Sequence, residues 1–536
     1  MENDTVAKEP ASQFDLTPTY LAERKNFRKD FGRKEVLFFS LCSVIGLDTI
    51  AIVAAAGPQA ISWMAVLAIV FLIPAAMVFA ELSSTFTFQG GPYMWIRLAF
   101  GHLAGSISSV ISWIKSPIWL GGVLTIVVIT AAETFFMAGS QMSQFSFYRF
   151  ALAFIWLSIL ANNYSFRVGK WVSVFGVLSR LILIPLFTIT VIAFGFINGM
   201  GGVAFSDFGL SFDGLILTIP IILFAFLGLE NVSAASAEMQ YAKRDLPYAV
   251  FRTTAFAMFF YGIPILAVLL VLPVNQVDGL AGFVDALKTV FTVYGGGIAE
   301  DGTVTLSGAG IYLGGFAGVL IILTIFSTGV TWLMSTNRNL AMACFDGSAP
   351  RWLGHTNPRY GTPVRLNNIT GIVASAILIL GYQLNEGYLA KYFGVAVSFA
   401  VAASLLTYLG IFPAFWVLRN KYPDVARPYK VRAHRTISIW LTLVVAFGIS
   451  QLLAPGLGDR WFGNDYLPSG WIGDQGRPYY LTQFGVLGVM IVIATLFRIL
   501  GLARSKADAR KEIAEQLPED ELVAEPIEVA PESDNK

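Results

Sequence analysis

The chain has 536 residues, 55% of them hydrophobic and 13% charged, with a formal net charge of +1. With 43 Phe and a mean hydropathy of +0.65, this composition excludes an ordinary soluble domain and describes a polytopic membrane protein. The near-zero charge sums two sides of a bilayer and gives no reason to expect a nucleic-acid partner, and Cys42 and Cys344 alone exclude a disulfide scaffold or a zinc cluster.

Residues 1–35 are polar and end in the basic and aromatic stretch Arg24 to Lys34. No short apolar run with a cleavage site appears there, so we expect an N-terminal cytoplasmic segment and no cleaved signal peptide. Apolar stretches near 20 residues then predict about 12 spans. They fall at 36–56, 63–82, 104–136, 147–164, 171–197, 214–237, 249–273, 309–336, 366–383, 391–418, 436–454 and 479–502. Arg97, Arg167, Lys170, Lys243, Arg244, Arg338, Arg351, Arg359, Arg365, the run Arg419 to Arg435 and Arg504 to Lys511 all fall on one side. By the positive-inside rule that side is cytoplasmic, with both termini, and a bacterial-type inner membrane is the expected location.

The first span contains Ile45-Gly46-Leu47-Asp48-Thr49 and the sixth Leu227-Gly228-Leu229-Glu230-Asn231. Each is a glycine and an acid inside an apolar run. A carboxylate at the bilayer centre costs a few kcal/mol or more and marks a substrate or ion path. Two such sites in equivalent places suggest two related halves around one binding site.

The long outer loops 274–307 and 455–478, rich in Gly, Asp and Pro, read as exposed connections. The tail 504–536 turns from basic to acidic and reads as disordered. No phosphate loop follows Gly295-Gly296-Gly297, and His102, His355 and His434 are scattered. ATP-driven transport, metalloprotease and haem chemistry are therefore not expected, and neither a metal nor a cofactor. A carrier, a channel or a receptor-like protein remains.

From Ser43 to Gly105 the chain resembles the first segment of the amino acid, polyamine and organocation transporter superfamily. The matching residues are the glycine-broken first helix, Ala80-Glu81-Leu82, Gln89-Gly90-Gly91-Pro92-Tyr93 and Ala99-Phe100-Gly101. Phe224 to Glu230, Glu238-Met239 and Arg244-Asp245-Leu246-Pro247-Tyr248-Ala249 are similar to the family's sixth helix and the motif after it. Asp346-Gly347 with Pro350, Gly361-Thr362-Pro363, Tyr422-Pro423-Asp424 and Arg427-Pro428-Tyr429 follow in the family's order. The resemblance implies an all-α polytopic fold with an inverted repeat. Helices 1–5 (36–200) and 6–10 (201–420) form the halves, helices 1 and 6 are broken at mid-membrane, and helices 11 and 12 (421–503) are appended. Unwound backbone is tolerated in a membrane where it lines a cavity, so freed amides and carbonyls can there bind a substrate's charged ends.

Asp48 departs from the family, whose first helix carries Gly-Ser-Gly where this chain has Gly46-Leu47-Asp48. Three readings stay open: a counter-ion for a substrate ammonium, the site of a coupling proton, or a structural charge neutralised by an internal cation. Glu230 is commoner in the family and suits a gating or proton-linked role. Lys115, about ten residues from either end of its span, reads as cavity-facing or ion-paired rather than snorkelling. Arg180 falls where many sodium-independent relatives place a Lys that fills a sodium site; always protonated, it cannot itself exchange the proton. Phe224 resembles the aromatic over bound substrate and Trp332 a tryptophan of the eighth helix. Thr328, Thr331 and Ser335 offer hydroxyls to the cavity or to their own helix. The expected function is a proton-coupled or exchange-type transporter of an amino acid or related amine. The alternatives are a polyamine carrier and a sensor that binds without transporting.

Overall fold

The computed structural model describes residues 29, 31–137, 140–164, 166–199, 203–271, 282–300, 302–357, 359–384, 389–456, 461 and 476–516. Among the described residues, ten helices are long and apolar enough to cross a membrane. They do not include the first and sixth predicted spans, because each of those is interrupted. The first divides into α1 (Arg33–Val44) and α2 (Leu47–Ala55), with Ile45 and Gly46 extended between them. The sixth ends as α8 (Phe212–Ala225) and resumes after a non-helical stretch as a 3-10 segment, Asn231–Glu238. Between them come α3 (Pro58–Thr85), α4 (Gly91–Phe100), α5 (His102–Phe136), α6 (Gln144–Asn163) and α7 (Phe166–Asn198). The second half continues with α9 (Ala242–Val271), the short α10 (Gly282–Val290) and α11 (Ala309–Phe345). Last come α12 (Val364–Leu384), α13 (Leu389–Lys421), α14 (His434–Leu453) and α15 (Gly476–Gln516).

Two of the prolines inside the apolar helices stand beside π-helical turns. In α3 a π-helical turn at Ala68–Leu72 leads into the segment that carries a proline in its first turn, and in α5 another at Trp119–Leu124 follows Pro117. A proline removes one backbone donor, and a π-turn redistributes the carbonyls it leaves. Helix α9 packs along α1 and α3, whereas α7 packs along α11 and α5 lies against α11, α13 and α15. Segment α1 also contacts α7 and α11, so it links the two groups.

Two expectations are corrected. The loop 274–307 is not merely an exposed connection. From Gly282 onward it forms α10, which buries Phe283, Val284, Leu287 and Val290, and then a hairpin of β1 (Gly296–Ile298) and β2 (Val304–Leu306). An apolar residue at i, i+1, i+4 and beyond makes one face of that helix adhesive, although the surrounding Gly and Asp read as loop. The tail is helical to Gln516, since 503–516 holds no Gly or Pro and is rich in Ala, Lys, Arg and Glu, which favour helix. The rest of the tail, residues 1–28 and most of 455–478 lie outside the described residues.

At the end of the molecule that carries α1's N-terminus, the broken segments are tied down by charge. Phe31 pairs in parallel with Met239, and Arg33 lies 3.8 Å from Asp245. Glu238 bonds Arg338 of α11 at 2.8 Å and Gln89 at 2.5 Å, and Arg97 holds Asp346 at 2.8 Å. Glu81 at the end of α3 binds Arg419 at 2.7 Å.

Candidate functional site

The two breaks meet. Gly228 has φ +109°, and a Cβ there would lie 2.5 Å from the Ser43 carbonyl oxygen, so only glycine permits this approach. At the first break, the end of α1 leaves carbonyls with no helical partner. Side chains from three other helices supply the donors. The Trp332 indole donates to Ser43 O at 2.8 Å, the Tyr261 hydroxyl to Val44 O, and the Arg180 guanidinium to Ile45 O at 2.7 Å. The Tyr261 oxygen also accepts from Gly46 N at 3.1 Å. Arg180 is 1% exposed and has no carboxylate within ion-pair distance among the described residues. Carbonyls and hydroxyls receive it instead: Gly176 O at 2.8 Å, Ser327 Oγ at 3.0 Å and Thr328 Oγ1 at 2.5 Å.

The second break is organised around a carboxylate. Glu230 folds back so that Gly228 N donates to its Oε2 at 3.0 Å, and Tyr408 of α13 donates its hydroxyl to the same oxygen. The Tyr408 oxygen accepts from Gly228 N at 3.1 Å. Glu230 therefore sits at the amide-rich start of the 3-10 segment and Arg180 at the carbonyl-rich end of α1. Both charges complement the helix-terminal dipoles beside them.

A small cavity of about 10 Å³, room for roughly one water, lies where the breaks meet. Gly46, Thr49, Phe224, Leu227 and Trp332, all expected site residues, line it, and every one is buried. Trp119, Tyr261 and Thr328 complete most of the wall. Phe224 stands between two indoles, with ring centroids 4.9 Å from Trp119 and 6.4 Å from Trp332. Ile45 packs with Leu41, Cys42 and Val177, while Leu47 and Leu229 belong to the main apolar core. Gly228 and Glu230 stand behind the wall and shape it. Asp48 occupies the first turn of α2, but its side chain lies outside the described residues.

Lys115 is absent from the cavity lining itself but rests on Trp332, which is one of its walls, and it has no ion pair among the described residues. It is 1% exposed, its Nζ rests 4.6 Å from the Trp332 ring centroid, and the Glu230 charge reaches it through space. The α11 hydroxyls divide. Thr328 serves Arg180 and the cavity, Thr331 bonds back to Ser327 O at 2.7 Å, and Ser335 donates to Asn231 Oδ1 at 2.9 Å. Trp119, Tyr261 and Tyr408 were missed by sequence reasoning. The available signal for the tyrosines was a hydroxyl inside an apolar run, which needs a partner when buried.

Broken helices around a cavity lined in part by Trp119, Phe224, Tyr261 and Trp332, beside the membrane-length helices of the described residues, define a carrier of small molecules rather than an enzyme. The chain belongs to the amino acid permease family, whose model matches residues 31–466. It is similar to an uncharacterized transporter of Legionella pneumophila, 26% identical over 431 residues and covering 78% of this chain and 87% of that one. It is also similar to a probable agmatine/putrescine antiporter of Lactococcus lactis, 27% identical over 413 residues, with 76% and 83% covered. A methylthioribose transporter of Bacillus subtilis is 26% identical over 261 residues, 48% of either chain. The protein is thus a multi-pass membrane transporter of the amino acid and polyamine permease type.

Proposed function

We propose that the protein is a proton-coupled or exchange-type secondary transporter of an amino acid or related amine, with cargo held between Phe224 and Trp332 at the junction of the broken helices. The observation that carries this reading is the junction itself. Backbone freed in an apolar interior is stable only when its groups are satisfied, and here side chains of α7, α9, α11 and α13 satisfy it. Moving the broken segments against α11 and α13 therefore exchanges discrete hydrogen bonds, as alternating access between a bundle and a scaffold requires. The Glu238–Arg338 ion pair lies at the end that the Lys and Arg distribution assigns to the cytoplasm.

Arg180 supports sodium independence, since a fixed guanidinium fills a nest of carbonyls and hydroxyls that would suit a bound cation. Asp48 and Glu230 are the carboxylates available to a coupling proton. Flux of labelled amino acids and amines into proteoliposomes, with and without pH and sodium gradients, tests the reading. We expect saturable flux without sodium, and loss of its pH dependence or of substrate binding in Asp48→Asn and Glu230→Gln. A strict sodium requirement would reject the role given to Arg180, and binding without flux under any gradient would reject a carrier. A polyamine or other organic amine carrier is the second reading, favoured by the aromatic wall, which suits cations, and by the Lactococcus relative.

A further inference from the structure

The buried charges around the cavity are not equivalent. Arg180 has its donors committed to carbonyls and hydroxyls, and the Oε2 of Glu230 is held by Tyr408 and Gly228 N. Lys115 has three N–H donors and no hydrogen-bond acceptor among the described residues; the Trp332 face lies against it, and the Glu230 charge acts on it through space. A buried ammonium without an acceptor is costly, and an anion brought to it recovers that cost. Lys115 precedes Trp119 by one turn of α5, so both lie on the same helix face; Lys115 rests on Trp332 and Trp119 on Phe224, and Trp119, Trp332 and Phe224 are all walls of the cavity.

An anion entering this cavity has few other partners. The first break presents carbonyl oxygens, which repel a carboxylate, and the Gly46 N–H is already donated to Tyr261. We propose that Lys115 is the anion pole of the cargo site: its ammonium leaves the Trp332 face and bonds a carboxylate of the cargo. The protein then selects amino acids over the corresponding decarboxylated amines. The charge of the cargo agrees with this, because a zwitterion adds no net charge to the apolar interior whereas a diamine adds two. This assignment rests on the cavity being the cargo site and separates the chain from what its Lactococcus relative's name describes.

The test compares pairs that differ by one carboxylate: arginine with agmatine, ornithine with putrescine, and leucine with 3-methylbutylamine. Binding is measured calorimetrically on the purified full-length protein, and flux in proteoliposomes. We expect the wild type to bind the acid member of at least one pair about tenfold more tightly than its amine. K115Q should erase that ratio and K115R keep it, each variant first shown to be monodisperse. Should K115Q not fold, the wild-type ratios and the conservative variant still decide. Equal or tighter binding of the amine in every pair, no binding of any probe, or an unchanged ratio in K115Q overturns the assignment. Acid-selective binding without flux leaves Lys115 in place and removes the carrier reading instead.

Discussion

The two breaks solve opposite problems. At Ile45–Gly46 the helix that ends leaves acceptors, and donors converge on them from Trp332, Tyr261 and Arg180. At Gly228 the exposed group is a donor, and acceptors converge on it from Glu230 and Tyr408. A tyrosine hydroxyl stitches each break, donating to one group and accepting from a glycine N–H. The difference shows why one intramembrane charge is a guanidinium and the other a carboxylate. Each matches the polarity of the helix end it faces. It also shows that a charge in an apolar span can be structural, so that Lys115, with neither ion pair nor hydrogen-bond acceptor among the described residues, stands out.

Removing the cation should break this comparison most severely. Arg180→Leu leaves Ile45 O without its side-chain donor and removes the bonds to Ser327 Oγ and Thr328 Oγ1, at about 1–3 kcal/mol for each buried acceptor orphaned. We expect little folded protein from it, read as loss of the monodisperse peak in gel filtration, whereas Arg180→Lys should be recovered with a lowered melting temperature. A fully stable Arg180→Leu would show that the first break needs no cation.

The glycines should come next, and unequally. Gly228→Ala places a Cβ 2.5 Å from Ser43 O at a residue with φ +109°, a left-handed backbone that alone costs an alanine roughly 1–2 kcal/mol. Gly46 has φ −104° and ψ 128°, which any residue adopts. Transport should be abolished in Gly228→Ala and reduced but measurable in Gly46→Ala; equal loss in both would mean that the close approach is not what the second glycine serves.

These residues also mark what could be read from the chain alone. Glycine beside acid in an apolar run is anomalous in any membrane protein, so both breaks, the carboxylates, Arg180 and Lys115 were visible as exceptions to hydropathy. The tyrosines were not. Tyr261 reaches Gly46 across 215 positions and Tyr408 reaches Gly228 across 180. In a chain with 43 Phe, 19 Tyr and 12 Trp, a single aromatic carries no mark of which packs and which bonds. Helix α10 escaped notice for a related reason: nine residues are too few for periodicity to outweigh neighbouring loop residues. Asp48 was equally visible, and its placement in the first turn of α2 leaves its three readings open.

Tyr261→Phe and Tyr408→Phe sharpen the comparison at the level of one oxygen each. Both keep the ring and remove the stitch, so each should cost about 1–3 kcal/mol of stability in a thermal melt. The breaks touch through Gly228 and Ser43, so the double variant should not be additive; coupled sites depart from additivity by about 0.5–3 kcal/mol. Strict additivity would mean that the breaks move independently, contrary to a shared two-state junction.

The smallest effect is expected at Trp332. Trp332→Phe removes the indole donor to Ser43 O, a single hydrogen bond of about 1 kcal/mol, and weakens the face on which Lys115 rests. If the indole mainly caps α1, the variant should melt slightly lower with cargo affinity unchanged. If the ring also partners cargo, affinity should fall beyond what the melt shows, and Trp332→Tyr, which restores a donor on a smaller ring, should recover stability before affinity. The order in which those two quantities recover separates the structural part of this tryptophan from its part in the cavity wall.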